Sequence, residues 1–373
     1  MKILPNKAFF SKDDILFIEK NFRKILNGKS FLSQYKFSED FENKFKNYVN
    51  SKASVSCNSG TSALEIIFRT INIVDKEVII PSNTFLATAL GVINAGGKIK
   101  FADCNEDMCI SYDSILENIT KNTAAIIIVH IGGIISKDFH KIKELCKKNK
   151  IILVEDAAQA HGSKLKNEYT GNLGDFAAFS FYSTKIMTTG EGGMITFRNK
   201  KYKKKMQSIR EFGKVKKGFY INYHKYIGYN WRFQEVNALM GIRQLQNIEK
   251  FIKKRERLIK IYIDELRDIK DIQIVNPFQN KAIRQNYYKF IIILKRHNRE
   301  KIQKELLKKS INLSGYVYEI PLHKQPIFKN HKHKNLKVSE RMCAQHICLP
   351  LYHEMTEKQA YYLTANLKKI LQN

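Results

Sequence analysis

Three stretches of this sequence combine residue types that can do chemistry. In Ser59-Gly60-Thr61-Ser62-Ala63-Leu64-Glu65, a glycine and small hydroxyl residues precede an apolar-periodic segment, and Ser62 with Glu65 has the spacing of a capping box. A helix start of that kind presents free backbone N–H groups and the positive end of the helix dipole, which favour a phosphate or carboxylate. The apolar run Ile151–Val154 ends in Glu155-Asp156-Ala157-Ala158-Gln159-Ala160-His161-Gly162. This puts two carboxylates at the carboxyl edge of a parallel strand, where open α/β sheets bind ligands, although Asp156 would serve equally as the cap of a following helix. The third stretch, Gly174 to Lys185 followed by Thr188-Thr189-Gly190-Glu191-Gly192-Gly193, delivers Ser180 and Lys185 from a strand into a loop of small residues. A lysine partly desolvated there has a lowered pKa and becomes a nucleophile able to form a Schiff base.

The elements that must position these groups are legible in the periodicity. Short apolar runs at Glu77–Ile80, Lys98–Asp103, Ala124–His130, Ile151–Asp156 and Phe176–Phe181 alternate with amphipathic segments, which predicts a parallel sheet with crossover helices. Between the third and fourth runs, Phe139, Ile142, Leu145 and Cys146 recur at helical spacing, with Ser136 and Asp138 as caps. Val236, Leu239, Met240, Ile242, Leu245, Ile248 and Phe251 predict a long helix over about 234–266 that connects two domains, a large one over 1–250 and a small one over 251–373. In the second, strands at Asp271–Val275 and Tyr287–Leu294 alternate with helices at Glu300–Lys309 and Thr356–Ile370.

Composition narrows the class. The 373 residues are 43% hydrophobic and 27% charged, enough for a sizeable core and against disorder. No apolar run reaches the roughly 18 residues of a membrane span, and the apolar patch after Met1 is shorter than a signal-peptide core, which predicts a cytoplasmic protein without a membrane role. The six cysteines form no C-x-x-C pair and are expected to be reduced core thiols. The net charge of +30 comes from 52 Lys and 13 Arg, a ratio opposed to base-reading arginine forks, and no nucleic-acid motif accompanies it. Lysine clusters such as Lys201–Lys205 read as solvated faces. His331 and His333 read as surface residues, so no metal is expected.

The motifs Ser59-Gly60-Thr61, Pro81-Ser82-Asn83-Thr84-Phe85, Glu155-Asp156-Ala157-Ala158-Gln159, Ser180 to Lys185 with Gly190-Glu191-Gly192-Gly193, and Gly228-Tyr229-Asn230-Trp231-Arg232 occur in that order. Together they resemble the DegT-type sugar aminotransferases, a family of fold-type I pyridoxal-phosphate (PLP) enzymes. The resemblance runs over nearly the whole chain, through Pro321-Leu322-His323 and Leu349-Pro350. It implies an α/β fold-type I transferase, whose large domain holds a mostly parallel, seven-stranded sheet flanked by helices, with a smaller C-terminal α/β domain.

Carried over residue by residue, the resemblance makes Lys185 the Schiff-base lysine, which also shuttles the proton during transfer, and places Asp156 beside the pyridine nitrogen, where it keeps the ring protonated. It puts Gln159 near the ring's 3′ oxygen, Phe85 stacked on the ring, and Gly60, Thr61, Ser62 and Ser180 around the phosphate. Asn230 would reach the phosphate of a neighbouring subunit, which implies a homodimer with shared active sites. Arg232 would either bind the amino donor's carboxylate or brace its loop, and His323 would either face the substrate or be structural.

The implied reaction moves an amino group from L-glutamate to a 3-keto or 4-keto carbon of a nucleotide-linked deoxy sugar, in amino-sugar or surface-glycan biosynthesis. The segment Val129-His130-Ile131-Gly132-Gly133-Ile134-Ile135-Ser136 departs from the more usual aromatic-Gly wording, which bears on substrate choice. A PLP-dependent sugar dehydratase is the rival enzyme reading, but that branch resembles this pattern with His where this chain has Lys185. A regulatory or nucleic-acid-binding protein on the same fold is the rival outside catalysis.

Overall fold

The computed structural model describes residues 1–220, 222–275 and 282–372. At its centre is a seven-stranded sheet in the spatial order Ala53–Cys57, Gly193–Phe197, Phe176–Ser180, Ile152–Asp156, Thr123–Val129, Glu77–Pro81 and Lys98–Ala102. Gly193–Phe197 runs antiparallel to both neighbours, and the other six strands run in one direction. Helices cover both faces, so the central strands are apolar throughout: Ala125 to Val129 are all buried.

This arrangement determines where chemistry can occur. Parallel strands deliver their carboxyl ends to one edge, so the segments after Cys57, Pro81, Val129, Asp156 and Ser180 converge there. Each of the three stretches singled out from the sequence lies on that edge.

Five of the seven strands match the apolar runs to within a residue at either end. Ala53–Cys57 was not legible because Ser54 and Ser56 interrupt the run, yet both serines are buried. Their hydroxyls are satisfied by Glu42: Ser54 Oγ donates to its carbonyl and Ser56 Oγ to its carboxylate, each at 2.8 Å. Gly193–Phe197 follows a glycine-rich turn and reads as loop, but Thr196 Oγ1 is satisfied by the Gly171 carbonyl at 2.6 Å.

The expected capping box shifts by one turn. The helix spans Gly60–Ile71, with Ser59 as the cap and Ser62 as its reciprocal partner, both bonds being 3.1 Å. Glu65 instead pairs with Arg69 one turn later at 2.7 Å.

The long helix spans Glu235–Leu266 without a break, so residue 250 lies inside it. It packs against Lys12–Lys24, Lys36–Tyr48 and Glu357–Gln372. Its first residue, Glu235, is fully buried and accepts the N–H groups of Tyr35, Phe37 and Ser38 at 2.9, 2.7 and 2.9 Å. A carboxylate there satisfies the free donors at the start of Lys36–Tyr48 and so fixes one helix to the other.

Beyond the long helix, Ile272–Ile274, Phe290–Leu294 and His346–Leu349 form a three-stranded antiparallel sheet. All six cysteines are free and buried. Among the described residues, no helix is long and apolar enough to cross a membrane, and no group of three or more His, Cys, Asp or Glu could hold a metal ion. His331 is half-buried rather than a surface residue, packed 5.1 Å from the Phe101 ring.

The sheet edge is held by a backbone approach that leaves no room for a side chain. A Cβ at Gly193 would stand 2.1 Å from the Ser59 carbonyl oxygen. Gly193→Ala therefore pushes the helix start away from the sheet. The expected cost is about 1–3 kcal/mol, checked by denaturant unfolding, with a larger proportional loss of activity than Ser54→Ala causes.

Candidate active site

Asp156 ends the strand Ile152–Asp156 and is buried. Thr88 Oγ1 donates to its Oδ2 at 2.8 Å and the Ala158 N–H to its Oδ1 at 3.2 Å. Burial raises its pKa above the ordinary carboxylate value, and the two hydrogen bonds together with the charges of Lys185 and His130 only partly offset this. Among the described residues no cation lies within ion-pair distance of it.

The preceding residue, Glu155, points to the opposite face, as strand alternation requires. It accepts the N–H groups of Gly171, Leu173 and Gly174 at 3.1, 2.9 and 2.8 Å, and it faces His130 Nε2 at 2.9 Å. Of the two adjacent carboxylates, Glu155 is saturated by structure, whereas Asp156 has only Thr88 and the Ala158 N–H as donors.

Lys185 closes the turn after Phe176–Ser180, with its N–H bonded to the Tyr182 carbonyl at 2.9 Å. Its half-buried ammonium has no hydrogen bond or ion pair among the described residues and lies 5.1 Å from the centre of the Tyr288 ring. Close behind is His161, fully buried against the rings of Phe179 and Phe181, with its pKa lowered to about 3 by burial and by the charge of Lys185. It stays neutral at any working pH and adds no positive charge beside the lysine.

Gln159 is buried and used at both ends. Its Oε1 accepts the Gly132 N–H at 2.7 Å, and its Nε2 donates to the Tyr318 hydroxyl at 2.6 Å. The unusual glycine pair after His130 therefore touches Gln159 directly. A Cβ on Gly133 would lie 1.9 Å from Asn286 Oδ1, and the Asn286 amide donates to the Gln159 and His161 carbonyls at 2.9 and 3.0 Å. Phe85 is 61% exposed and stacks on Tyr318, with ring centres 6.3 Å apart.

At the helix start, Gly60 and Thr61 have N–H groups with no acceptor among the described residues, while Ser62 Oγ is engaged by Ser59 and Asn58. A Cβ on Gly60 would stand 2.8 Å from that of Ser180, so the strand end and the helix start share one concave wall.

The structure brings together Gly60, Thr61, Ser62, Ser180, Lys185, Asp156, Gln159 and Phe85 at the sheet edge. The other three candidates stand apart. Asn230 is exposed, and its backbone carbonyl lies 3.5 Å from Asn58 Nδ2. Arg232 pairs with Glu211 at 3.7 Å and lies over the Phe212 ring, the geometry of a loop brace. His323 is buried with both ring nitrogens engaged, Nδ1 with Ser82 Oγ at 2.6 Å and Nε2 with Glu340 Oε1 at 2.9 Å, which leaves none for a substrate.

Sequence reasoning missed Thr88, Tyr288, Tyr318 and Asn286. Thr88 sits one helical turn after Phe85, so a polar residue at that spacing was an available signal. The other three arrive more than a hundred residues after Asp156 in sequence and have no local signature.

A free amine, a buried carboxylate short of positive charge and open N–H donors at a helix start, all on one edge of a parallel sheet, suit a flat cationic ring that carries a phosphate. The chain belongs to the DegT/DnrJ/EryC1/StrS aminotransferase family, whose model matches residues 13–368. It is 28% identical over 340 residues to the GDP-perosamine synthase of Escherichia coli O157:H7, covering 90% of this chain and 91% of that protein. To the UDP-4-amino-4,6-dideoxy-N-acetyl-beta-L-altrosamine transaminase of Campylobacter jejuni it is 29% identical over 343 residues, covering 90% and 89%. The fold is shared with a Streptococcus pneumoniae structure described as a sugar aminotransferase in its PLP form, with a TM-score of 0.91, 22% identity and coverage of 100% and 99%.

The raised pKa of Asp156 has a consequence for the cofactor-free protein. A carboxyl that holds its proton more tightly when folded makes stability fall as pH rises from the ordinary carboxylate range through the raised value. Asp156→Asn removes that loss, so the thermal midpoint of the apoprotein at pH 7 is expected to rise while that at pH 4 changes little. Differential scanning calorimetry at the two pH values checks this, and a fall at pH 7 would refute it.

Proposed function

We propose that the chain is a PLP-dependent aminotransferase that takes the amino group of L-glutamate and passes it to a keto carbon of a nucleotide-linked deoxy sugar. The observation that carries this reading is the unpaired Lys185 amine in the same edge cluster as the buried Asp156, which makes no ion pair among the described residues. The relatives named for perosamine and altrosamine chemistry act on GDP- and UDP-linked sugars, which supports the substrate class and leaves the nucleotide open.

The residues fit PLP. Gly60 and Thr61 N–H groups with the Ser180 side chain would hold the phosphate, Asp156 the ring nitrogen, Phe85 a ring face, and Gln159 the ring's oxygen side. When bound, PLP supplies an electron sink that makes the substrate's C–H bond acidic. The chain's own residues do the rest. Lys185 holds the cofactor and, when displaced, carries the proton to and from the reacting carbon. Asp156 keeps the ring-nitrogen proton in place, and Thr88 and the Ala158 N–H fix the carboxylate's orientation.

A second copy of the chain fits the surface beside Asn230. Phe212, Phe219, Tyr220, Ile227 and Tyr229 are all exposed in the stretch leading to it, an apolar display that a lone soluble chain rarely carries. Asn230 then serves the neighbouring subunit's phosphate, and each dimer has two shared sites. Sedimentation is expected to give a dimer, and Ile227→Asp is expected to shift it toward monomer.

The test of the reaction is spectroscopic. PLP added to the native chain is expected to give a visible absorption band that L-glutamate bleaches. Lys185→Ala should bind PLP without that response and lose at least about 10³-fold in turnover. A native chain that binds no PLP, or a mutant indistinguishable from it, would favour the non-catalytic reading.

A further inference from the structure

Lys289 is a second cation on the ring that carries Lys185. Its Nζ lies 5.4 Å from the Tyr288 ring centre, against 5.1 Å for Lys185. It immediately precedes the strand Phe290–Leu294 and donates to the carbonyl and hydroxyl oxygens of Ser314, both at 2.6 Å. An ammonium has three donors, so one remains. Lys289 is half-buried, and among the described residues no carboxylate lies within ion-pair distance of it. Arg232, the other cation considered for an anionic substrate, is already paired with Glu211.

The space beside Lys289 joins the active site. A cleft of about 290 Å³ is lined by Gln159, Thr184, Tyr288, Lys289, Ser314 and Tyr316 among others, and so reaches from Thr184, the neighbour of Lys185, to Lys289. Thr184 Oγ1 lies 3.2 Å from the Tyr288 hydroxyl. Burial alone would raise the pKa of Tyr288, yet the charges of Lys185, Lys289 and Arg255 and the hydrogen bond with Thr184 together leave the value lowered. The cleft therefore carries an excess of positive charge in a partly desolvated place, where one carboxylate is favoured. Its volume, at the low end for organic ligands, is sufficient for an amino acid.

We propose that Lys289 recognises the carboxylate of the amino donor that lies farther from the reacting carbon, so that it selects a dicarboxylic amino acid. This rests on the aminotransferase reading. Lys289 is a specificity residue, distinct from the groups that hold the cofactor.

The test follows bleaching of the PLP band as a function of donor concentration. In Lys289→Met the half-saturating L-glutamate concentration is expected to rise by tenfold or more with little change in limiting rate, because a hydrogen-bonded charge pair is lost. The response to L-glutamine, whose side chain is uncharged, is expected to stay the same, and Lys289→Arg should restore most of the glutamate affinity. If Lys289→Met does not fold by circular dichroism, Lys289→Gln provides the same comparison. Unchanged glutamate saturation overturns the proposal, and so does an effect confined to the acceptor half reaction, which would assign the charge to the sugar. A native chain that responds to L-glutamine and not to L-glutamate overturns it while leaving the aminotransferase reading intact. A native chain inert to every amino donor removes both.

Discussion

A carboxylate buried without a cation is an unfinished interaction, and the architecture converges on one. Asp156 reaches its position because a strand places alternate side chains on opposite faces, so Glu155 can be saturated by three backbone N–H groups and His130 while its neighbour is not. The loop that wraps Glu155 thus satisfies one of two adjacent carboxylates, while the other, on the opposite face, has only Thr88 and the Ala158 N–H as donors. Removing that wrapping would leave Glu155 buried without its hydrogen-bond donors, a costly state for a carboxylate.

The rest of the site is arranged around this incomplete pairing. Thr88 and the Ala158 N–H set the carboxylate's direction, the Gly60 and Thr61 donors set where a phosphate would lie, and Lys185 arrives from the next strand with its amine uncommitted. His161, kept neutral by its burial and by the lysine's charge, adds no second positive charge beside it. From the far side, Asn286 and Tyr318 clamp Gln159, so the C-terminal residues contribute to the site as well as covering it.

Most of the sheet, and the residues on its ligand edge, were legible in the sequence because apolar runs and short motifs are local signals. What escaped had non-local causes. Ala53–Cys57 hides its strand character because its serines are paid for by Glu42, which lies on a separate helix. The helix at Gly60 begins one turn before the most obvious capping pair, since Ser59 and Ser62 satisfy each other and Glu65 is drawn to Arg69. His323 resembled a substrate residue by its motif, and only the fold reveals Ser82 and Glu340 on its two nitrogens. Tyr288, Tyr318 and Lys289 come from a distant part of the chain and acquire meaning only when the second sheet is packed against the first.

The six free cysteines have a further consequence. All are buried, and burial pushes their thiols up, Cys57 and Cys348 to about 11 and Cys146 and Cys343 to about 12. Thiolate is the reactive form, so in the folded chain these sulfurs are nearly inert to oxidants and alkylating agents. Because they are distributed over the first helix–sheet junction, the central layer and the C-terminal sheet, the order in which they become reactive would record the order in which those regions open. The protein thereby carries its own set of internal clocks for local unfolding.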